Sequence, residues 1–298
     1  MPRHTGPSSP TTLRRSQGRG QRDARPAHEA IRSFAMSLSQ ADKALRLREL
    51  HAGPRAFVIA NAFDAGSATL LTQLGFAALA TSSGAAAGVL GRKDGQLSRD
   101  EALAHAQAIA AATEVPVSAD LEDGFGDSPD DVAETIRRAG ATGIVGASIE
   151  DHGGEKGTPL YPIDLAAARI AAAVRAARSL PFAGFAITAR AENFFRGYPD
   201  LADTIARLKA YEAAGADVLF APALPDLEAV RAVCAAVTKP VNFMVGMKGK
   251  SWDLATLEAA GVRRVSLATS LWRAAMAGIR AAATEVRDSG TFGYVDRL

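Results

Sequence analysis

Cysteine is nearly absent from this chain. Cys234 is the single one among 298 residues, so no intramolecular disulfide can form. One thiol fits a reducing compartment, and the cytoplasm is the expected location. Also missing is any uninterrupted apolar run of about 18 residues, which argues against a transmembrane helix and a membrane partner. No classical secretory h-region is read in the chain. Acidic residues are heavily outnumbered at the start of the chain. Residues 1–35 hold seven arginines against Asp23 and Glu29, a balance of +5 that leaves the remainder at −3. The sequence pI near 8.8 therefore belongs largely to that stretch. Rich in Pro, Ser and Gly and without apolar periodicity, it predicts a disordered basic extension over residues 1–36. Three readings stay open for it: a non-native extension upstream of a start at Met36, an Arg- and Ser-rich transit peptide, or a nucleic-acid arm. Nothing aromatic or folded accompanies such an arm, so no nucleic-acid partner is expected.

What is present reads as one globular domain. Apolar residues make up 48% and charged residues 22%, enough to bury a sizeable core. From Ser37 onward short β-prone apolar segments alternate with Ala- and Leu-rich helical patterns. The segments are Phe57 to Ala60, Ala77 to Ala80, Val115 to Ala119, Ile144 to Ile149, Phe185 to Ala189, Val218 to Phe220, Val241 to Val245, and Arg264 to Leu267. Several helical patterns close on glycine: Gly75, Gly140, Gly215 and Gly261. Ser39 is placed to cap a first helix through about Ala52. Eight strand–helix units predict an α/β fold, a closed (β/α)8 TIM barrel over residues 37–298, rather than an open doubly wound sheet.

In such barrels the chemistry sits at the carboxyl ends of the strands. Those ends carry Asn61 and Asp64, Thr81-Ser82-Ser83-Gly84, Asp120, Glu122 and Asp123, Glu150 and Asp151, Arg190, Glu192 and Asn193, Asn242, then Thr269 and Ser270. The sixth end, Phe220-Ala221-Pro222-Ala223, is apolar. Acids concentrate at ends three and four. Several anions converging on one mouth repel one another unless a cation or protons intervene. Hard oxygen ligands of this kind suit magnesium held by few carboxylates and several waters. Arg190 directly follows an apolar strand, so its planar fork is expected at the same mouth, facing an anionic substrate carboxylate.

Plainer roles compete at several positions. Asp64 before a helical pattern reads as an N-cap. Asp123-Gly124 reads equally as a turn, which leaves Asp120 and Glu122 unexplained. Gly246-Met247-Lys248-Gly249-Lys250 resembles a phosphate loop in position only, and a flexible exposed loop is the default.

Taken together these segments resemble the phosphoenolpyruvate mutase/isocitrate lyase superfamily over residues 40–288. The resemblance rests on Asn61 to Ala68, Thr81 to Gly84, Leu90 to Gly95, Ala119 to Gly126, Ser148 to Asp151, and Ile187 to Asn193, in that order on successive strands. It implies a lyase acting on a small 2-oxo acid through an enolpyruvate-like intermediate, with Mg2+ (or Mn2+) as cofactor. The metal site would match Asp94, Asp120, Glu122 and Glu150, with Asp120 the most direct ligand. The substrate-carboxylate cradle would match Ser82, Ser83 and Gly84, with Asn242 as a further substrate contact. Arg190 would face the second anionic group. Lys156, in the stretch His152 to Gly157 where relatives carry a gating loop, would act as a functional cation, although a solvated surface lysine fits as well. Catalytic roles thus fall to Arg190, Lys156 and Asp94. A homotetramer or dimer is implied, with the last helix (Ala274 to Val286) exchanged between paired subunits.

Departures from the family narrow the chemistry. The isocitrate and methylisocitrate lyase branches carry a Lys-(Lys/Arg)-Cys-Gly-His loop, and no cysteine stands in the corresponding stretch here. Cys234 falls in a helical pattern far along the chain and is expected to be buried. The glutamate that lyases place after strand six is replaced around Pro222. Thr158 is the sole nearby counterpart to the gating residue of the mutase and phosphonopyruvate hydrolase branches. Decarboxylation or cleavage of an oxaloacetate-like acid, C–P bond chemistry, and a non-catalytic dicarboxylate-binding paralogue therefore stay open.

Overall fold

The computed structural model describes residues 38–153 and 160–298. Eight parallel strands close into a barrel in sequence order, the (β/α)8 fold. The first half runs α1 (Gln40–Ala52), β1 (Phe57–Asn61), α2 (Ala65–Gln73), β2 (Leu79–Ala80), α3 (Ser83–Val89), α4 (Arg99–Ala111), β3 (Val117–Asp120), α5 (Pro129–Ala139) and β4 (Gly146–Glu150). The second runs α6 (Ile163–Arg178), β5 (Ala186–Arg190), α7 (Asn193–Arg196), α8 (Leu201–Ala213), β6 (Val218–Phe220) and α9 (Leu227–Ala236). It ends with β7 (Val241–Met244), α10 (Leu254–Ala259), β8 (Arg264–Ser266) and α11 (Ser270–Ser289). The expected extension over 1–36, Lys156 and Thr158 lie outside the described residues. Among the described residues no helix is long and apolar enough to cross a membrane.

Strand positions follow local chemistry. β3 starts at Val117, two residues later than the apolar run suggests, because Pro116 lacks an N–H and contributes only its carbonyl, to Leu79. Helix starts are set by side-chain caps. Ser39 and Asp42 form a capping box on α1, and Asp64 caps α2 by accepting from the Ser67 amide at 2.7 Å. Gly140 caps the end of α5 as expected, but not in the left-handed conformation. It stays right-handed with φ −57°, and the left-handed residue is Gly143. Close packing accounts for glycine at 140, since a Cβ there would run into the Leu180 side chain.

The barrel wall is buried on both faces. Outward-facing Ala119, Ile149, Ile187, Ala189, Leu219 and Val265 pack under the helices in the main core. Inward-facing positions are unusually polar for a barrel, whose interior ordinarily holds branched aliphatic layers. Pairing register links Glu150 to Arg190, Arg190 to Phe220, Phe220 to Asn242, and Asn242 to Arg264. That row begins at the last residue of β4 and ends at the first residue of β8, so strand stagger carries it from mouth to floor.

α11 is longer than the expected Ala274 to Val286 and none of its residues is buried. Trp272 packs on α3, where a Cβ on Gly88 would come within 2.5 Å of its ring. Beyond that, Met276, Ile279 and Val286 continue the same stripe and stay exposed, Ile279 at 59%.

Candidate active site

The carboxyl ends of β3, β4 and β5 bring acids and guanidinium groups into direct contact. Arg190, 7% exposed, places Nη1 3.2 Å from Asp120 Oδ1 and 2.8 Å from Glu150 Oε1. Its Nε and Nη2 reach Glu192 Oε1 at 3.0 and 2.9 Å. Phe220 lies under the guanidinium at 5.0 Å. Burial opposes the Arg190 charge, but Glu150, Glu192 and Asp120 together outweigh it and hold the group protonated. Arg196, on the one-turn helix α7, closes the other side through Glu150 Oε2 at 2.8 Å and Glu192 Oε2 at 3.3 Å.

A buried brace stands behind this cluster. Asp151 accepts from the Glu192 amide at 2.9 Å, from Arg207 Nη1 at 3.1 Å and from the Tyr211 hydroxyl at 2.5 Å. Asp151 therefore faces away from the mouth and fixes the backbone that carries Glu192. Asp123 serves the turn: its Oδ1 accepts from the Phe125 amide at 2.8 Å.

Asp120 is held from two sides. Its Oδ2 accepts from the Ser83 amide at 3.1 Å, and its Oδ1 receives the Ser148 hydroxyl at 3.3 Å. Ser82 caps α3, and Gly84 sits against the exposed Asp94, where a Cβ would fall 3.2 Å from that carboxylate. Glu122 has a left-handed backbone, φ 49°, uncommon for a residue with a side chain. Its Oε1 is buried without a hydrogen-bond partner. Burial, then repulsion from Asp120, Asp94 and Asp123, pushes its carboxyl up to about 8.

These donors fit a hard divalent cation. Among the described residues no three acids or histidines stand close enough to enclose a metal by themselves. Magnesium needs only one or two carboxylates with water and substrate completing its shell. Asp120 with Glu122, whose buried oxygen lacks any partner, and with Glu150 and Asp94 nearby, is such a set. A cavity of about 340 Å³ joins Ser82, Ser83, Asp94, Asp120, Glu122, Glu150 and Arg190.

Asn242 departs from the expected strand end. β7 begins at Val241, so Asn242 is its second residue and lies deeper in the barrel. There its Nδ2 donates to Ser266 Oγ at 3.0 Å and its Oδ1 accepts from Arg264 Nε at 2.8 Å. Cys234 is half-buried on α9 rather than fully buried, and burial pushes its thiol up to about 11. Two cavity-lining arginines, Arg196 and Arg264, carry no signal in the sequence. The first follows the strand by six residues at the end of the one-turn helix α7, and the second stands beside Arg263 at a strand start, where a charge pair reads as solvated.

Comparison with known proteins agrees with this geometry. Residues 47–287 match the family described as Phosphoenolpyruvate phosphomutase. A crystal structure from Burkholderia cenocepacia J2315, provisionally described as a lyase/mutase, is 50% identical, covers 87% of this chain and 92% of its own, and superposes with a TM-score of 0.84. The oxaloacetate decarboxylase of Chromohalobacter salexigens is 31% identical over 76% of this chain and 79% of its own. The 2-methylisocitrate lyase of Shewanella oneidensis is 33% identical over 66% of this chain and 68% of its own. The chain is an enzyme-family barrel and belongs to the phosphoenolpyruvate mutase/isocitrate lyase superfamily of lyases and mutases.

Proposed function

We propose that this protein is a magnesium-dependent lyase, with manganese as a substitute, that breaks a carbon–carbon bond in a small 2-oxo dicarboxylic acid of the oxaloacetate type. The observation that carries the reading is the meeting of Asp120, Glu122 and Glu150 beside Arg190 at one mouth, with a buried oxygen of Glu122 unpartnered. Similarity to an oxaloacetate decarboxylase supports the substrate class. No cysteine stands in the stretch where the lyases for isocitrate and methylisocitrate carry their acid, which favours decarboxylation or simple cleavage.

Asp120 and Glu122 would hold the cation, with Glu150 and Asp94 positioned to accept from its waters. When bound, the cation supplies Lewis acidity that favours negative charge on the substrate's α-oxygen. Ser82, Ser83 and Gly84 would receive the substrate carboxylate through the serine hydroxyls and the Gly84 amide, the Ser83 amide being engaged by Asp120. Arg190 holds Asp120 and Glu150 at fixed spacing and, at the same mouth, faces the 2-oxo carboxylate end of the substrate. Glu192, set by Asp151, orients Arg190. Lys156, which lies outside the described residues, would be the functional cation that offsets negative charge developing on the substrate.

A second copy of the chain completes the particle in this reading. The exposed stripe Met276, Ile279 and Val286 on α11 fits an exchanged helix in a dimer or homotetramer. Direct product detection from oxaloacetate, phosphonopyruvate and 2-methylisocitrate, each with magnesium and with a chelator, tests the function. Pyruvate from oxaloacetate, lost with the chelator, is the expected result. Turnover of phosphonopyruvate would instead place the chain among the mutases or hydrolases, and magnesium-dependent binding without turnover would mark a binding paralogue.

A further inference from the structure

Below the acid cluster the cavity ends on a buried cation that has no anion. Arg264 is 5% exposed and lines the same cavity as Asp120 and Glu150. Its Nε donates to Asn242 Oδ1 at 2.8 Å, its Nη2 to Thr188 Oγ1 at 3.0 Å, and its Nη1 lies 3.4 Å from His51 Nε2. All three partners are neutral. Among the described residues the buried Arg190 and Arg207 each meet at least two carboxylates, Arg169 is held by the backbone carbonyls of Gly126 and Asp123, and Arg264 meets no carboxylate. Burial alone lowers its guanidinium to about 9, with no acid to restore it.

The barrel interior makes room for this side chain. Gly146, Ser118 and Ser148 are small where ordinary barrels place branched aliphatics, and a Cβ on Gly146 would fall 3.1 Å from Ser118 Oγ. Arg264 starts on β8 and reaches Thr188 on β5, so it spans the barrel. Ser118, Ser148 and Ser266 line the space between it and the mouth. The cavity is thus polarised, with anionic oxygens at the top and a fixed, planar, multi-donor cation at the base. A buried charge held only by neutral side chains lacks the attraction that offsets its desolvation, and a ligand carboxylate would supply that counter-ion. A carboxylate matches the guanidinium fork.

We propose that Arg264 is the second anion anchor of the cavity and receives the distal carboxylate of an extended dicarboxylate whose 2-oxo end is held at the mouth. The assignment rests on the proposed function for the mouth and adds its selectivity: dicarboxylates over monocarboxylates, decided at the barrel floor. Oxalate, whose two carboxylates share one bond, would occupy the mouth alone.

Titration calorimetry on the full chain with magnesium tests this. The ligands are oxalate, then malonate, succinate and 2-oxoglutarate, then the distal mono-amide of whichever extended acid binds tightest. The wild-type chain is expected to bind that acid at least tenfold tighter than its mono-amide. In Arg264→Met the acid should weaken at least tenfold, while oxalate keeps its affinity. Arg264→Lys should fall between, keeping charge and losing the fork. Equal affinity for acid and mono-amide, no binding of any extended acid beside intact oxalate binding, or unchanged affinities in Arg264→Met would each overturn the anchor. Loss of oxalate binding in the wild type would instead sink the reading of the mouth. Should Arg264→Met fail to fold, the acid and mono-amide pair on the unsubstituted chain still decides.

Discussion

Arg190 Nη1 lies 3.2 Å from Asp120 Oδ1, a contact between the last residues of β5 and β3 made across the intervening strand β4. The same nitrogen meets Glu150 at 2.8 Å, so one guanidinium sets the spacing of the two acids beside the proposed cation position. A lysine ammonium is a point donor and cannot reach Asp120, Glu150 and Glu192 together. Arg190→Lys should therefore lower kcat/KM by about 100-fold, roughly the 3 kcal/mol at which breaking a buried pair begins. Steady-state kinetics beside an unchanged far-ultraviolet circular dichroism spectrum checks this; wild-type kcat and KM in the variant would remove Arg190 from the site.

The floor of the barrel carries an acid-sensitive element. His51 is buried against Phe57 with ring centroids 5.2 Å apart, and burial, followed by the Arg264 charge, lowers it from 6.5 to about 3. The folded state thus keeps the imidazole neutral while the unfolded chain protonates it. Its contribution to stability is complete above pH 6.5 and is lost as pH falls toward 3, by about 1.4 kcal/mol per pH unit. Urea midpoints measured from pH 7 to pH 4.5 should fall more steeply for the wild-type chain than for His51→Gln. Parallel curves would show that His51 does not carry this dependence.

On α11, Ile279 stands 59% exposed between Met276 and Val286. If this stripe is covered by a second copy, Ile279→Asp places a charge in an apolar contact and should shift the sedimentation coefficient to that of a monomer, with little change in the melting of the barrel itself. A wild-type chain that sediments as a monomer, or a variant that keeps the oligomer, would contradict the exchanged helix.

Legibility of the sequence followed burial. Val218 to Phe220 stands out as β6 because it is apolar on both faces, and Asp120, Glu150 and Arg190 stand out because each puts a charge at the end of a largely apolar run. Depth inside the barrel is another matter. Whether Asn242 serves the mouth or the floor depends on where β7 begins and on strand stagger, and both are set by pairing with neighbours far along the chain. Arg264 escapes notice for the same reason, since only the closed barrel turns a charge at a strand start into a buried one. Gly140 reads as a helix end, although packing against Leu180 on the far side of α6 is what requires it. The brace of Asp151, Tyr211 and Arg207 joins residues 60 positions apart, beyond any local pattern.

Magnesium binding in the presence of oxalate tests the central claim most directly, by calorimetry on the wild-type chain and on Asp120→Ala with circular dichroism as the control for folding. Oxalate should bind the wild-type chain only with magnesium present, and Asp120→Ala, still folded, should lose that binding together with magnesium-dependent turnover. Magnesium-dependent oxalate binding of wild-type strength in a folded Asp120→Ala would contradict the account.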